Sequence, residues 1–160
     1  EGLSRFYLED VTSRSASGNN RVGATWMTRE NRETDIQNYL TYLDAVYDRE
    51  LSALPAKKLT VLGFSQGAAT ASRWVMHQSF HLEQLVLWAG ILPPDMDLTA
   101  ASTRLKELKV VVVSGTTDPF ITDSKTKEMA EISKRLGIDP IRFQFDGGHE
   151  LHTPTLEKLI

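Results

Sequence analysis

The chain has 160 residues, 41% hydrophobic and 24% charged, which is the size of one domain with enough apolar side chain to bury a core. Its formal net charge of −3 comes from interspersed acids and bases without a basic block, so nucleic acid is not an expected partner. No apolar run reaches the roughly 20 residues of a membrane span, the first residues lack a signal-peptide pattern, and cysteine is absent; the expectation is a cytoplasmic protein without disulfide, thiolate or Cys-ligated metal chemistry.

In chain order, residues 3–8 offer at most the end of a strand, and residues 8–33 are polar and Gly/Ser/Asn-rich with no sustained period. Trp26 and Met27 predict that one end of this stretch packs on something apolar. Thr34-Asp35-Ile36-Gln37 reads as a capping box that opens a helix, with Ile36, Leu40, Leu43, Tyr47 and Leu51 recurring at three- and four-residue steps before Pro55. Short apolar runs at 58–63, 84–89, 110–114 and 141–145 predict strands, and continuous runs of this kind suit strands covered on both faces. Helices are predicted at 66–79, around 99–105 and at 123–136, the last closed by Gly137, and at 153–160 with Pro154 in the first turn. Repeats and long linkers are absent, so one domain over residues 1–160 is expected. The alternation implies right-handed βαβ units and an α/β sandwich with a mostly parallel sheet.

The chemistry centres on Gly63-Phe64-Ser65-Gln66-Gly67, which joins the first of these strands to a helix. A serine at a sharp strand-to-helix turn is pushed above the sheet edge, and glycines on either side remove Cβ atoms that would collide in the bend. The bland reading is a tight turn in which Ser65 caps the helix. A serine hydroxyl used as a nucleophile needs a base within hydrogen-bond reach and a third group to orient that base. Strand 110–114 leads to Asp118 and strand 141–145 to His149, both just beyond strand ends, on the side where open α/β sheets place their sites. Asp118 taken alone reads as a turn or cap residue before Pro119, and His149 as a loop histidine; their joint order of Ser, Asp, His favours a catalytic set. Asp146 is the second candidate acid, while His77 and His81 read as surface residues. His149 and His152 in His-Glu-Leu-His lack zinc spacing and a third ligand, so no metal is expected. A doubly wound nucleotide binder is disfavoured because neither Gly-x-Gly-x-x-Gly nor a phosphate-loop lysine occurs.

Gly-Phe-Ser-Gln-Gly after one strand, Ser114-Gly115-Thr116-Thr117-Asp118-Pro119-Phe120 after another, Gly147-Gly148-His149-Glu150-Leu151 near the C-terminus and Trp88-Ala89-Gly90-Ile91-Leu92-Pro93 between them resemble the phospholipase/carboxylesterase group of α/β-hydrolases, which includes the acyl-protein thioesterases. The likeness is close over residues 57–152 and looser over the first 56. It implies an α/β-hydrolase-type three-layer sandwich and hydrolysis of small carboxylic esters or thioesters without a cofactor. It also implies Ser65 as nucleophile, His149 as base then acid, and Asp118 as orienting carboxylate. The backbone N–H of Gln66 is the expected oxyanion donor, and Trp26, Ile91, Leu92 and Phe120 are candidate acyl-pocket residues, each with core packing as its alternative.

The same resemblance places further strands and a loop with the second oxyanion donor ahead of residue 1, so only the C-terminal part of that fold is expected here. Residues 60–62 would then form an apolar sheet edge. Either an upstream segment of a longer polypeptide or a second copy of the chain is expected to cover it. A catalytically silent fragment or binding module that keeps the serine turn is the alternative to an enzyme.

Overall fold

The computed structural model describes residues 25–51 and 58–159. The strand end expected at 3–8, the first part of the polar stretch and Pro55 lie outside them. The chain divides into two compact units, Glu1–Ala56 and Lys57–Ile160.

In the first unit, helix α1 runs over Arg32–Glu50. It begins two residues before the expected capping box, and its N-cap residue, Asn31, makes no side-chain cap bond. The reason lies with Asp35: its buried carboxylate accepts from the Thr28 backbone N–H at 2.9 Å and the Thr28 hydroxyl at 2.6 Å. Thr28 Oγ1 in turn accepts from the Asn31 N–H at 3.0 Å. Thr28 and Asp35 thus tie the chain ahead of the helix to its first turns, and Thr34 lies inside the helix. Trp26 stands edge-on to Tyr39 at 6.2 Å, an apolar anchor within this unit.

The second unit is built around four parallel strands in the order β1-β2-β3-β4: β1 Thr60–Phe64, β2 Gln84–Trp88, β3 Lys109–Gly115 and β4 Ile141–Phe145. Helices α2 Gln66–His77, α3 Leu98–Lys106, α4 Asp123–Leu136 and α5 Thr153–Leu156 alternate with them. Register runs Leu62↔Val86, Val86↔Val111 and Val113↔Phe143. Every residue of β2 is buried, as the continuous apolar run predicts. Strands β1 and β4 depart from that expectation, with Leu62 and Ile141 among the exposed large hydrophobic residues. Among the described residues each has a strand neighbour on one side only, which leaves its outer edge without a ladder partner.

Period-2 alternation sorts the core onto two faces. Leu85, Leu87 and Val110 pack with Ala68, Ala71 and Val75 of α2, Ala101 and Leu105 of α3, and Met129, Ile132 and Leu136 of α4. Val86, Trp88, Val111, Val113 and Phe145 form the opposite face with Leu159. The carboxamide of buried Gln84 donates to the Leu159 carbonyl at 3.1 Å and ties the C-terminal segment to that face. Helix α4 is bounded as its sequence requires, by Thr122 accepting from the Lys125 N–H and by Gly137 in the left-handed region at φ 68°. Among the described residues, no helix is long and apolar enough to cross a membrane, and no group of three or more His, Cys, Asp or Glu side chains could hold a metal ion.

Candidate active site

Ser65 sits between the last residue of β1 and the first of α2, with φ 55° and ψ −119°. A positive φ costs a non-glycine residue energy, and such strain persists only where the surroundings hold it. Two contacts do so. The Ser65 N–H donates to the Trp88 carbonyl of the neighbouring strand at 2.7 Å. The strand end and first helical turn also meet backbone to backbone: a Cβ on Gly63 would lie 2.2 Å from the Gly67 carbonyl oxygen. The Ser65 side chain makes no cap bond to α2. Its Oγ lies instead 2.9 Å from Nε2 of His149, which removes the plain-cap reading.

The Asp118 and His149 loops are packed against each other through their backbones. A Cβ on Gly115 would stand 2.3 Å from the Gly147 carbonyl oxygen and 2.4 Å from that of Gly148. Thr117 donates to the Gly147 carbonyl through both its N–H, at 3.0 Å, and its hydroxyl, at 2.9 Å. The Thr116 N–H donates to the Phe145 carbonyl at 2.9 Å. In this frame the Asp118 carboxylate is fully buried as a side chain and accepts at both oxygens. Oδ1 takes the Phe120 N–H at 2.8 Å, and Oδ2 lies 2.9 Å from His149 Nδ1. With Nδ1–H given to the carboxylate, Nε2 is left to accept the serine proton.

The imidazole side chain is 22% exposed and lies between two rings, Phe64 at 4.8 Å and Phe120 at 4.6 Å. Phe64, the residue between Gly63 and Ser65, is not singled out by the sequence pattern; its place in the turn beside Ser65 is the signal that could have found it. Gln66 opens α2, where N–H groups and the positive end of the helix dipole point outward near Ser65.

The remaining candidates are placed elsewhere. Asp146 is exposed at the end of β4, and its Oδ1 accepts from the Thr116 hydroxyl at 3.4 Å. His77 and His81 are exposed. His152 holds the Thr155 hydroxyl at 2.8 Å and stacks on Phe145 at 4.9 Å. Phe120 is 55% exposed beside the imidazole, so it is available to a bound molecule. Leu92 is not: it is wholly inaccessible within the core shared by the sheet and α2–α4, which corrects its expected pocket role. Ile91 lines a cavity of about 500 Å³ together with Ile121, Met129, Arg142 and Gln144, on the α4 side of β3 and β4. Ser65, Asp118 and His149 are not on its walls. Trp26 belongs to the first unit, against Tyr39.

A parallel sheet with the serine at a strained strand-to-helix turn, and the acid and histidine at the ends of the last two described strands, is an α/β-hydrolase fold. The family model described as serine hydrolase (FSH1) matches residues 5–158, and the chain belongs to that family. Among curated proteins, acyl-protein thioesterase 1 of Debaryomyces hansenii is 29% identical over 91 residues, covering 56% of this chain and 39% of the relative. The chain therefore matches well under half the length of that relative. Among solved structures, acyl-protein thioesterase 2 of Zea mays superposes with a TM-score of 0.62 at 19% identity, covering 88% of this chain and 71% of the other. SOBER1 of Arabidopsis thaliana gives 0.64 at 17%, covering 88% and 73%. The Bacillus cereus carboxylesterase gives 0.57 at 18%, covering 87% and 64%. At these identities the structural likenesses establish the fold.

Proposed function

We propose that the protein cleaves small carboxylic esters or thioesters through an acyl-enzyme on Ser65. The observation that carries this reading is the continuous chain from Ser65 Oγ to His149 Nε2 and from His149 Nδ1 to Asp118 Oδ2, each link 2.9 Å, on a serine held at positive φ. Ser65 Oγ attacks the acyl carbon while its proton passes to Nε2, and buried Asp118 stabilises the imidazolium and keeps its orientation. The tetrahedral oxyanion takes the Gln66 backbone N–H as one donor; in α/β-hydrolases a second N–H comes from a loop earlier in the chain. Collapse expels the alcohol or thiol, which receives the proton from Nε2. Water then attacks the acyl-enzyme with His149 again as base, releasing the carboxylic acid and free Ser65. Phe120, exposed beside the imidazole, provides apolar contact for the acyl group. The serine hydrolase family and the similarity to acyl-protein thioesterase 1 support the reaction class.

The test compares the protein with Ser65→Ala on a short-chain aryl ester and the matching thioester. Loss of the nucleophile of such a set lowers kcat on the order of 10⁶-fold, so turnover by the variant is expected at background. An inactive wild type would return the chain to the reading of a binding module that retains the serine turn. A variant as active as wild type would remove Ser65 from the chemistry.

A further inference from the structure

Trp88, the last residue of β2, bonds directly to two of the segments that carry the reactive side chains. Its carbonyl accepts the Ser65 N–H at 2.7 Å, and its indole Nε1–H donates to the carbonyl of Glu150, the residue after His149, at 2.8 Å. Its ring, which is wholly inaccessible, also packs on Phe145 at 5.8 Å. The Phe145 carbonyl in turn holds the Thr116 N–H at the start of the Asp118 turn. The main chain of this one residue thus fixes the nucleophile, and its side chain fixes the loop of the base.

Beyond its packing on the Asp118 loop and the side-chain contacts of His149, that loop has few backbone hydrogen bonds. Among the described residues, the backbone of 147–151 is otherwise tied by the Gly147 carbonyl to Thr117 and by a 3.4 Å contact between the Gly148 N–H and the Glu150 carboxylate. Both lie on the N-terminal side of the imidazole or within the loop itself. The indole bond holds the C-terminal side at the residue next to His149, from the same strand end that anchors Ser65.

We infer that Trp88 is a positioning residue whose indole N–H sets the separation of Ser65 Oγ and His149 Nε2. This inference rests on the proposed hydrolase reading. Without the N–H, the Glu150 carbonyl loses its partner and the loop is free to drift on its C-terminal side. The serine–imidazole contact lengthens, while Phe120 keeps its own bond to the Asp118 carboxylate. A misplacement of about 1 Å costs on the order of 10²-fold in rate, and loosening the anchor sets the imidazole over part of that range.

The test replaces Trp88 by β-(3-benzothienyl)alanine, which keeps the bicyclic shape and puts sulfur where the N–H was, and by 5-fluorotryptophan, which keeps the N–H. The inference predicts that the sulfur analogue lowers kcat for the aryl ester about tenfold to a hundredfold, with KM within about twofold. It also predicts a broadened or shifted proton resonance for the Nδ1–H of His149. The fluoro analogue is predicted to restore both. Wild-type kcat and an unmoved resonance in the sulfur analogue would overturn the inference, as would a change confined to melting temperature or KM. Wild-type protein without esterase activity would overturn the hydrolase reading, and in that case the His149 resonance still decides whether Trp88 governs the imidazole.

Discussion

Replacing Gly63 by alanine probes the geometry that holds Ser65, the proposed nucleophile. The added methyl would lie 2.2 Å from the Gly67 carbonyl oxygen, 2.5 Å from its carbon and 2.6 Å from the Ala68 Cα. All three atoms are backbone, so no rotamer change relieves the contact. Reaching ordinary separation requires strand β1 and the first turn of α2 to part by roughly 1 Å. Overpacking a filled site costs about 1–3 kcal/mol, and a clash with three backbone atoms of the facing turn belongs at the upper end. At about 2–4 °C per kcal/mol for a chain of this size, the melting temperature is expected to fall by roughly 6–12 °C. The same movement carries Ser65, which lies between the two glycines, away from His149. The rate of labelling by a fluorophosphonate is therefore expected to fall by about 10²-fold. Thermal unfolding followed by circular dichroism, with probe labelling well below the transition, reads both effects. An alanine variant with wild-type melting temperature and labelling rate would refute the close-approach argument.

Four further substitutions test the site and pocket assignments. Asp118→Asn leaves the size of the side chain but removes the charge and favours the wrong imidazole tautomer; kcat is expected to fall on the order of 10⁴-fold, the loss seen for this change in a serine protease triad. Asp146→Asn is expected to leave kcat within about twofold, because that carboxylate lies at the strand end and meets Thr116 rather than His149; equal losses in the two variants would contradict the assignment of the acid. Leu92→Ala is expected to destabilise by about 2–5 kcal/mol without altering preference for acyl chain length, whereas Phe120→Ala is expected to change stability by no more than about 0.5 kcal/mol and to weaken discrimination between short and longer acyl esters. Denaturant titration and a chain-length series check both, and a shifted chain-length profile for Leu92→Ala would place that residue back at the substrate.

The order of elements was open to reading because each carried its own local signals. Gly137 closes α4, and Ile141–Phe145 forms the strand its apolar run predicts. Where a side chain found a distant partner, local reading failed. Asp35 looked like part of a capping box opened by Thr34, but Thr28, seven residues upstream, takes its carboxylate, and the helix starts earlier. Strand β1 is offset from the predicted run and ends at Phe64, because the ladder with Gln84–Trp88 decides its limits. Ser65, Asp118 and His149 were legible together because a parallel sheet delivers successive strand ends to one side, so their order already implied convergence. Pocket residues were not. Leu92 and Ile91 are adjacent in sequence and equally apolar, yet one is sealed in the core and the other lines a cavity. Period and composition do not distinguish those fates. Trp88 did carry a hint, since a tryptophan within a fully apolar strand must find a partner for its N–H, but only the fold reveals that the partner adjoins His149.

The central claim is that Ser65, activated through His149, becomes acylated during turnover. Intact-mass analysis after reaction with a fluorophosphonate, followed by peptide mapping, tests it most directly. The account predicts one adduct per chain, located on the peptide containing Ser65, formed at a rate that drops sharply in Asp118→Asn. An adduct on another residue, or the absence of any adduct in protein that turns over the aryl ester, would contradict it.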